Sequence, residues 1–432
     1  MIGQKVWAAI SLWGLALMVG FGGRGLGAQK RVLENGLTVI LERDESSANT
    51  VLQILIKGGA RAEPPGKRGL AFLTTRMSIE IPDSGKAQQL ISLATWAYAS
   101  AGGDYSLIGI ECLSANLEPS LKVLSQIFLD PLISGIRVDV TKQFMDHQGR
   151  VEEDDSVRLG HLAALRAFFA GSGYEGSMYG HKASLEAIKN KDVSEFYKND
   201  FVGSNIIMSF ASDLPENVLL DLVGRYFAGI PTGHSIVLPP ISTSEPEEKT
   251  IQLERDTEQT FISLAYRLPA TSRRSFALAS VLESFIGKGQ GSRLWALRAE
   301  MKLAYNVNCR ATQMQEGGII EAYLETDTAK RELARQSLHS VLADLCQSGI
   351  TEEELLYAKN SAKTDFVRDS ETKSGKAGIS AFFEASGLGL EFSGSLLSEI
   401  DALSLAEVNS CIRDVLAPEK ALEVVIGPRP AS

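Results

Sequence analysis

Apolar positions follow two periods along this chain. Where they alternate with polar ones between turn residues, they predict strands. The first is a hairpin from Arg31 to Glu42, with Asn35-Gly36 read as a type I′ turn. Strands are also predicted at Thr50–Lys57, Trp96–Ala101, Tyr105–Leu113 and Asn205–Ala211. Where apolar residues recur every three or four positions, helices are predicted at Asn116–Phe128, Val138–Glu153 and Val157–Phe169. Others are predicted near Lys86–Thr95, from Asp192 as a capping residue, and over Pro215–Phe227.

The second half repeats this order. Strands are predicted at Ile251–Leu253, Thr260–Arg267, Ala304–Ala311, Gly318–Glu325 and Ala421–Ile426. Helices are predicted at Ser275–Ile286, Ser292–Met301, Ala329–Gln347 and Glu352–Asp369, the last behind the capping box Thr351-x-x-Glu354. A final helix follows Ser404-x-x-Glu407. Residues 233–249 carry Pro239-Pro240 and Pro246-Glu247-Glu248 and read as a linker. The matching order argues for an internal duplication, with one domain over 29–232 and another over 250–432.

Charge and composition narrow the chemistry. The 432 residues carry a formal net charge of −10. No Lys/Arg cluster is interleaved with aromatics, so nucleic-acid binding is not expected. Lys5 precedes an apolar run from Val6 to Gly22, and Leu26-Gly27-Ala28 ends on a small residue. Residues 1–28 therefore read as a signal peptide, placing the mature protein in a periplasm or otherwise outside the cytoplasm. Any membrane association would run through that segment if it stayed uncleaved. Cys112, Cys309, Cys346 and Cys411 are widely spaced and read as small apolar residues, with no pairing implied.

The chemistry turns on Gly69 to Met77, which reads Gly-Leu-Ala-Phe-Leu-Thr-Thr-Arg-Met. It resembles the motif helix of the pitrilysin/insulinase-type zinc metallopeptidases, Gly-Leu-Ala-His-x-x-Glu-His-Met. There the histidines bind zinc and the glutamate is the general base. Phe72 and Arg76 fall on the histidines and Thr75 on the glutamate. Phe72 has no lone pair to offer a metal. Thr75 is no base near neutral pH, and Arg76 is a fixed cation that repels one. The resemblance extends to Glu34–Val39, to Gly58-Gly59-Ala60-Arg61-x-Glu63-Pro64, to Asp104-Tyr105-Ser106 and to Gly287–Tyr305, and so spans nearly the whole chain. It implies an α+β fold of two homologous domains, each a mostly antiparallel sheet with helices packed on one side.

The family's third zinc ligand is a downstream glutamate. Simple counting reaches Glu152; allowing for a shorter Met77–Asp104 segment moves the position to Gln148, leaving Glu152–Asp155 as a solvated helix end. No metal or catalytic residue is expected in this chain. The resemblance also places a substrate-binding Arg/Tyr pair, seven residues apart, on Arg298 and Tyr305. It implies a non-catalytic subunit that pairs with a homologue bearing the zinc motif, the zinc residing in that partner, and that helps to bind unstructured peptides. Two other readings stay open: a stand-alone peptide-binding or assembly protein of the respiratory-complex core type, and an active zinc peptidase with a relocated metal site. Elsewhere the sequence offers little. The five histidines show no i,i+4 pair, no Gly-x-Ser-x-Gly elbow occurs, and Gly287-x-Gly289-x-Gly291 is a turn rather than a phosphate loop.

Overall fold

The computed structural model describes residues 27–242 and 244–429. The apolar run of the proposed signal peptide lies outside them. In the first half, β1 (Gln29–Val32), β2 (Thr38–Arg43) and β3 (Asn49–Lys57) lead to α1 (Leu70–Met77) and α2 (Ser84–Ser92). Then come β4 (Trp96–Ala101), β5 (Tyr105–Leu113), α3 (Leu117–Leu129), α4 (Gly135–Glu153) and α5 (Ser156–Phe168). The half closes with α6 (Lys182–Ala187), α7 (Asn190–Asp200), β6 (Ile206–Ser212) and α8 (Glu216–Phe227). The second half runs β7 (Thr250–Glu254), β8 (Gln259–Leu268), α9 (Arg273–Gly287), α10 (Trp295–Ala299), β9 (Asn306–Met314) and β10 (Gly317–Asp327). It ends with α11 (Arg331–Ser348), α12 (Glu352–Asp369), α13 (Lys373–Ala385), α14 (Phe392–Asp401), α15 (Leu405–Val415) and β11 (Leu422–Gly427).

Two mixed sheets result, ordered β1-β2-β6-β3-β5-β4 and β7-β11-β8-β10-β9. Every pairing is antiparallel except β2–β6 and β7–β11. Without the extra edge strand β1, the two orders coincide strand for strand. The duplication is thus a property of topology as well as of element order.

Each sheet packs one face on helices of its own half. Leu52, Ile54 and Ile56 of β3 meet Leu70, Leu73 and Leu121, and Ile262 and Leu264 of β8 meet Val281, Leu282 and Leu338. Such buried aliphatic faces supply most of the stabilisation, about 25 cal/mol per Å² of apolar surface. The opposite faces are covered reciprocally. Helix α5 lies on the second sheet, where Leu159, Ala163, Ala164 and Phe168 meet Phe261, Ala265 and Val424. Helix α13 lies on the first, where Ala377, Ala381 and Ala385 meet Val51, Leu55 and Ile207. Small residues permit this approach. A Cβ on Gly160 would lie 2.2 Å from Cε1 of the Phe261 ring.

Polar contacts fix both exchanged helices. On α13, Lys373 Nζ donates to the carbonyls of Ser47 (2.6 Å) and Asn49 (2.7 Å), and Lys376 Nζ pairs with Asp44. On α5, His161 pairs with the fully buried Glu321, which also accepts from Arg310 at 3.0 Å.

Several local expectations need correction. Only Gly36 of the first hairpin turn has positive φ (84°), so the turn is not type I′. Leu33 N–H reaches Leu37 O across a wider loop. Asp192 does not cap α7; it sits inside the first turn, where its carboxylate accepts from Lys189 N at 2.7 Å and pairs with Lys67. The Glu152–Asp155 run is not a uniformly solvated helix end. Glu152 Oε2 is sealed from solvent with no hydrogen-bond partner, and Asp155 caps α5.

One buried carboxylate makes stability depend on pH. Burial pushes the Glu423 carboxyl up, but hydrogen bonds from His339 (2.9 Å) and Arg335 (2.6 and 2.9 Å) outweigh it and bring it down to about 2 from 4.5. A depressed folded-state value stabilises above the unfolded value and loses that contribution as pH falls through the folded one. Stability from this group should therefore decline between about pH 4.5 and 2. Chemical denaturation over that range should show a shallower decline in Glu423→Gln than in the parent.

Candidate functional site

Helix α1 starts without a side-chain cap of its own. Gly69 takes φ 98°, which a Cβ would resist, and the Glu63 carboxylate accepts from Gly69 N (3.0 Å) and Ala71 N (2.9 Å). A carboxylate here satisfies free N–H groups and faces the positive end of the helix. Arg68, 3.7 Å from Glu63, donates to the carbonyls of Gly173, Gly176 (2.6 Å) and Ser177 (3.1 Å). These bonds draw the loop carrying Tyr179 against α1.

That loop decides what the motif positions can do. Phe72 is 3% exposed and meets the Tyr179 ring edge-on, centroids 5.1 Å apart. Thr75 is fully buried, its hydroxyl donating to Ala71 O at 2.7 Å. The Arg76 guanidinium lies over the Phe144 ring of α4, 3.9 Å from its centroid, and pairs weakly with Glu80 at 3.8 Å. Where the family holds a metal, this chain packs a ring, a satisfied hydroxyl and a stacked cation. These side chains do not fit zinc. Among the described residues, no group of three or more His, Cys, Asp or Glu is placed to hold a metal ion.

Gln148 and Glu152 both lie on α4 and are half-buried. Burial raises the Glu152 carboxyl, opposed by the Ser177 hydroxyl, and Glu152 in turn contributes to the raised Tyr179 phenol. Glu152 thus lies near enough to Tyr179 for its charge to be felt there. Tyr179 and Phe144 escaped the sequence reading because neither belongs to the motif; both arrive through tertiary packing.

Two further stretches that carried the resemblance also have a definite job. The Arg61 side chain is 3% exposed. It donates to Asp104 (3.2 Å), the Tyr174 hydroxyl (3.3 Å) and Pro239 O (2.7 Å). Asp104 accepts from Tyr174 OH at 2.5 Å and from Gln315 N at 2.9 Å. The cluster thereby clamps the first half, the connecting segment and the β9–β10 hairpin of the second half together.

Arg298 and Tyr305 are both at the surface. Arg298 lies over the Trp295 ring at 5.0 Å, and Tyr305 is 67% exposed. A guanidinium and a phenol held in solvent are available to a peptide backbone. The outer strands β4 and β9 each pair on one side only, leaving a row of backbone donors and acceptors on the other.

Comparison with known proteins agrees with this geometry. The family described as "Peptidase M16 inactive domain" matches residues 187–362. The non-peptidase homolog YmxG of Helicobacter pylori is 23% identical over 87% of this chain and 88% of its own length. The protein named uncharacterized zinc protease YmxG in Bacillus subtilis is 20% identical over 91% of this chain and 96% of its own. The crystal structure of a peptidase M16 inactive domain from Pseudomonas fluorescens superposes with a TM-score of 0.85 at 21% identity, covering 94% of this chain and all of that one. In matched sequence and in fold this chain resembles the inactive members of the pitrilysin-like zinc metallopeptidase family, and its motif helix is packed with side chains that do not fit zinc.

Proposed function

We propose that the chain is the non-catalytic subunit of a heterodimeric zinc peptidase outside the cytoplasm, contributing to the binding of unstructured peptides. The observation that carries this reading is a complete scaffold whose motif helix is retained as a helix but packed with Phe72, Thr75 and Arg76. Arg298 and Tyr305 stand in solvent, open to a peptide backbone. In this reading the partner is a homologue with an intact zinc motif, which holds the metal. Arg298 donates to peptide carbonyls, and the Tyr305 phenol steadies the oxyanion that forms at the partner's zinc. An extended peptide adds as a strand to an outer sheet edge.

The test is co-expression with a zinc-motif homologue from the same host, followed by assay on unstructured peptides. The pair should cleave and neither chain alone should match it. Tyr305→Phe should lower kcat/KM of the pair roughly 100- to 1000-fold, as loss of one oxyanion donor does elsewhere, and Arg298→Ala should lower it as well. Zinc should remain with the partner in both variants. An unchanged rate would remove those two roles. Failure to recover any zinc-motif homologue with the native protein would remove the heterodimer.

A further inference from the structure

The two exchanged helices are held in different ways. Under α5, the buried Glu321 pairs with His161 and accepts from Arg310 at 3.0 Å. Under α13 lies a buried carboxylate with an oxygen that no donor meets among the described residues. Ile40 of β2 packs with Ala381 and Ala385, so Glu42, two positions on, shares its face. Glu42 is 4% exposed, and its Oε2 is sealed from solvent without a hydrogen-bond partner. Across the ladder its neighbour is Ala211, which meets Ala377 of α13. The ammonium whose field reaches it, Lys376, is already engaged with Asp44, which also accepts from Ser46 N at 2.8 Å. Lys373 is occupied by the carbonyls of Ser47 and Asn49, 3.8 Å from Asp213, and Lys30 of β1 pairs with Glu384 near the other end of α13. Ser209 Oγ of β6 and Ser380 Oγ of α13 are likewise sealed without partners. At its C-terminal end α13 is tied to the β9–β10 hairpin, Gln315 Nε2 donating to Ala385 O at 2.8 Å.

We propose that the N-terminal half of α13 is a proton-sensitive clasp: ionisation of Glu42 loosens it from the first sheet and lets the halves part about the Arg61–Asp104 clamp. Buried in this contact, Glu42 is accommodated as a neutral acid. Burial pushes its carboxyl up to about 7 from 4.5, with Lys376 pulling it down and the Asp44 charge adding to the rise. Asp44 is the opposite case. Its burial, which raises it, is outweighed by hydrogen bonds from Lys376 and Ser46, which bring it down to about 2. Asp44 therefore stays charged and keeps the ammonium. Once Glu42 ionises, an uncompensated charge sits between β2 and α13. The contact beneath is made largely by Ala377, Ala381 and Ala385, whose small buried area offers little to offset that charge. A carboxyl raised in the docked state favours docking most below its undocked value and less as pH climbs to the docked one. The clasp should therefore loosen between about pH 4.5 and 7 and change no further above that.

The experiment measures labelling of Ser209→Cys by a pyridyl disulfide from about pH 4.5 to 8. Each rate is divided by that of the same chain unfolded in urea at that pH. Ser209 is fully buried between Ile207 and Ala211, which meet α13, and its hydroxyl has no partner, so a near-isosteric thiol disturbs little. Accessibility should rise up to pH 7 by at most about tenfold per unit, since one proton is linked, and then level off. Native Cys112 and Cys309, buried in the two halves' own cores, should stay protected. Adding Glu42→Gln should abolish the rise and leave the thiol about tenfold or more less accessible at the upper end of the range. That gain in protection cannot come from misfolding. Asp44→Asn frees Lys376 for Glu42 and should end the rise at a lower pH. A parent without the rise, a rise that survives Glu42→Gln, or labelling of Cys112 and Cys309 in step with it overturns the proposal. None of these readouts involves a partner subunit, so the result is independent of the proposed heterodimer.

Discussion

Replacing Phe72 by alanine should cost about 3–5 kcal/mol of folding stability, measured as a lower midpoint in chemical denaturation. The ring is 3% exposed and belongs to the core of the first half, among Leu70, Leu73, Leu121 and Met145. Deleting it removes its buried area, leaves a void on α1 and strips the Tyr179 ring of its edge-on contact. In a zinc-binding relative the same position is a ligand, and its loss would be read first in activity. Here the expected readout is stability, because the position has become packing. Phe72→His makes the contrast sharper. The smaller, polar ring enters a site lined by Tyr179 and the buried Thr75, so stability should fall with no stoichiometric zinc gained on dialysis against the metal. Retained stability in Phe72→Ala would mean that the motif helix has kept an open site.

The second large effect is expected at Asp104→Ala. Its carboxylate is the only charge that the structure places within 3.5 Å of the buried Arg61 guanidinium among the described residues; the next acidic oxygen, on Glu316, is 3.9 Å away. Removing one member of a buried pair leaves the other uncompensated, which costs about 3–5 kcal/mol. The substitution also strands the Tyr174 hydroxyl and the Gln315 N–H. Because those donors come from both halves, the loss should act on their docking as well as on local order. Limited proteolysis should then cut the 233–249 segment faster in the variant than in the parent. A protein as stable and as resistant as the parent would show that the clamp is redundant with the exchanged helices.

Much of the fold was legible beforehand because strand and helix periods are local. The eleven strands read from the sequence all appear, with ends shifted by a residue or three. The capping box at Thr351 and the N-cap at Ser404 begin α12 and α15 as expected. The repeat of element order anticipated two sheets of matching topology. Helices α6, α13 and α14 were not read. Helix α6 has only six residues, and Lys373–Ala385 meets the sheet through small residues, whereas α14 carries Phe392, Leu396 and Ile400 at helical spacing and could have been read.

The amino-acid sequence by itself determined that Phe72, Thr75 and Arg76 stand where metal ligands and a base would be, since the chemistry of a side chain does not depend on its surroundings for possessing a lone pair. It also determined the two-fold α+β order and the candidate Arg298 and Tyr305. Only the tertiary structure decided what replaced the metal. Tyr179 reaches Phe72 because Arg68 holds the carbonyls of a loop about a hundred residues away, and Phe144 reaches Arg76 because α4 crosses α1. It likewise decided that α5 and α13 each cover the other half's sheet, and that Arg61 and Asp104 clamp the halves together. These are choices among partners distant in the chain. They rest on which surfaces fit and which buried charges are neutralised, and no local period records either.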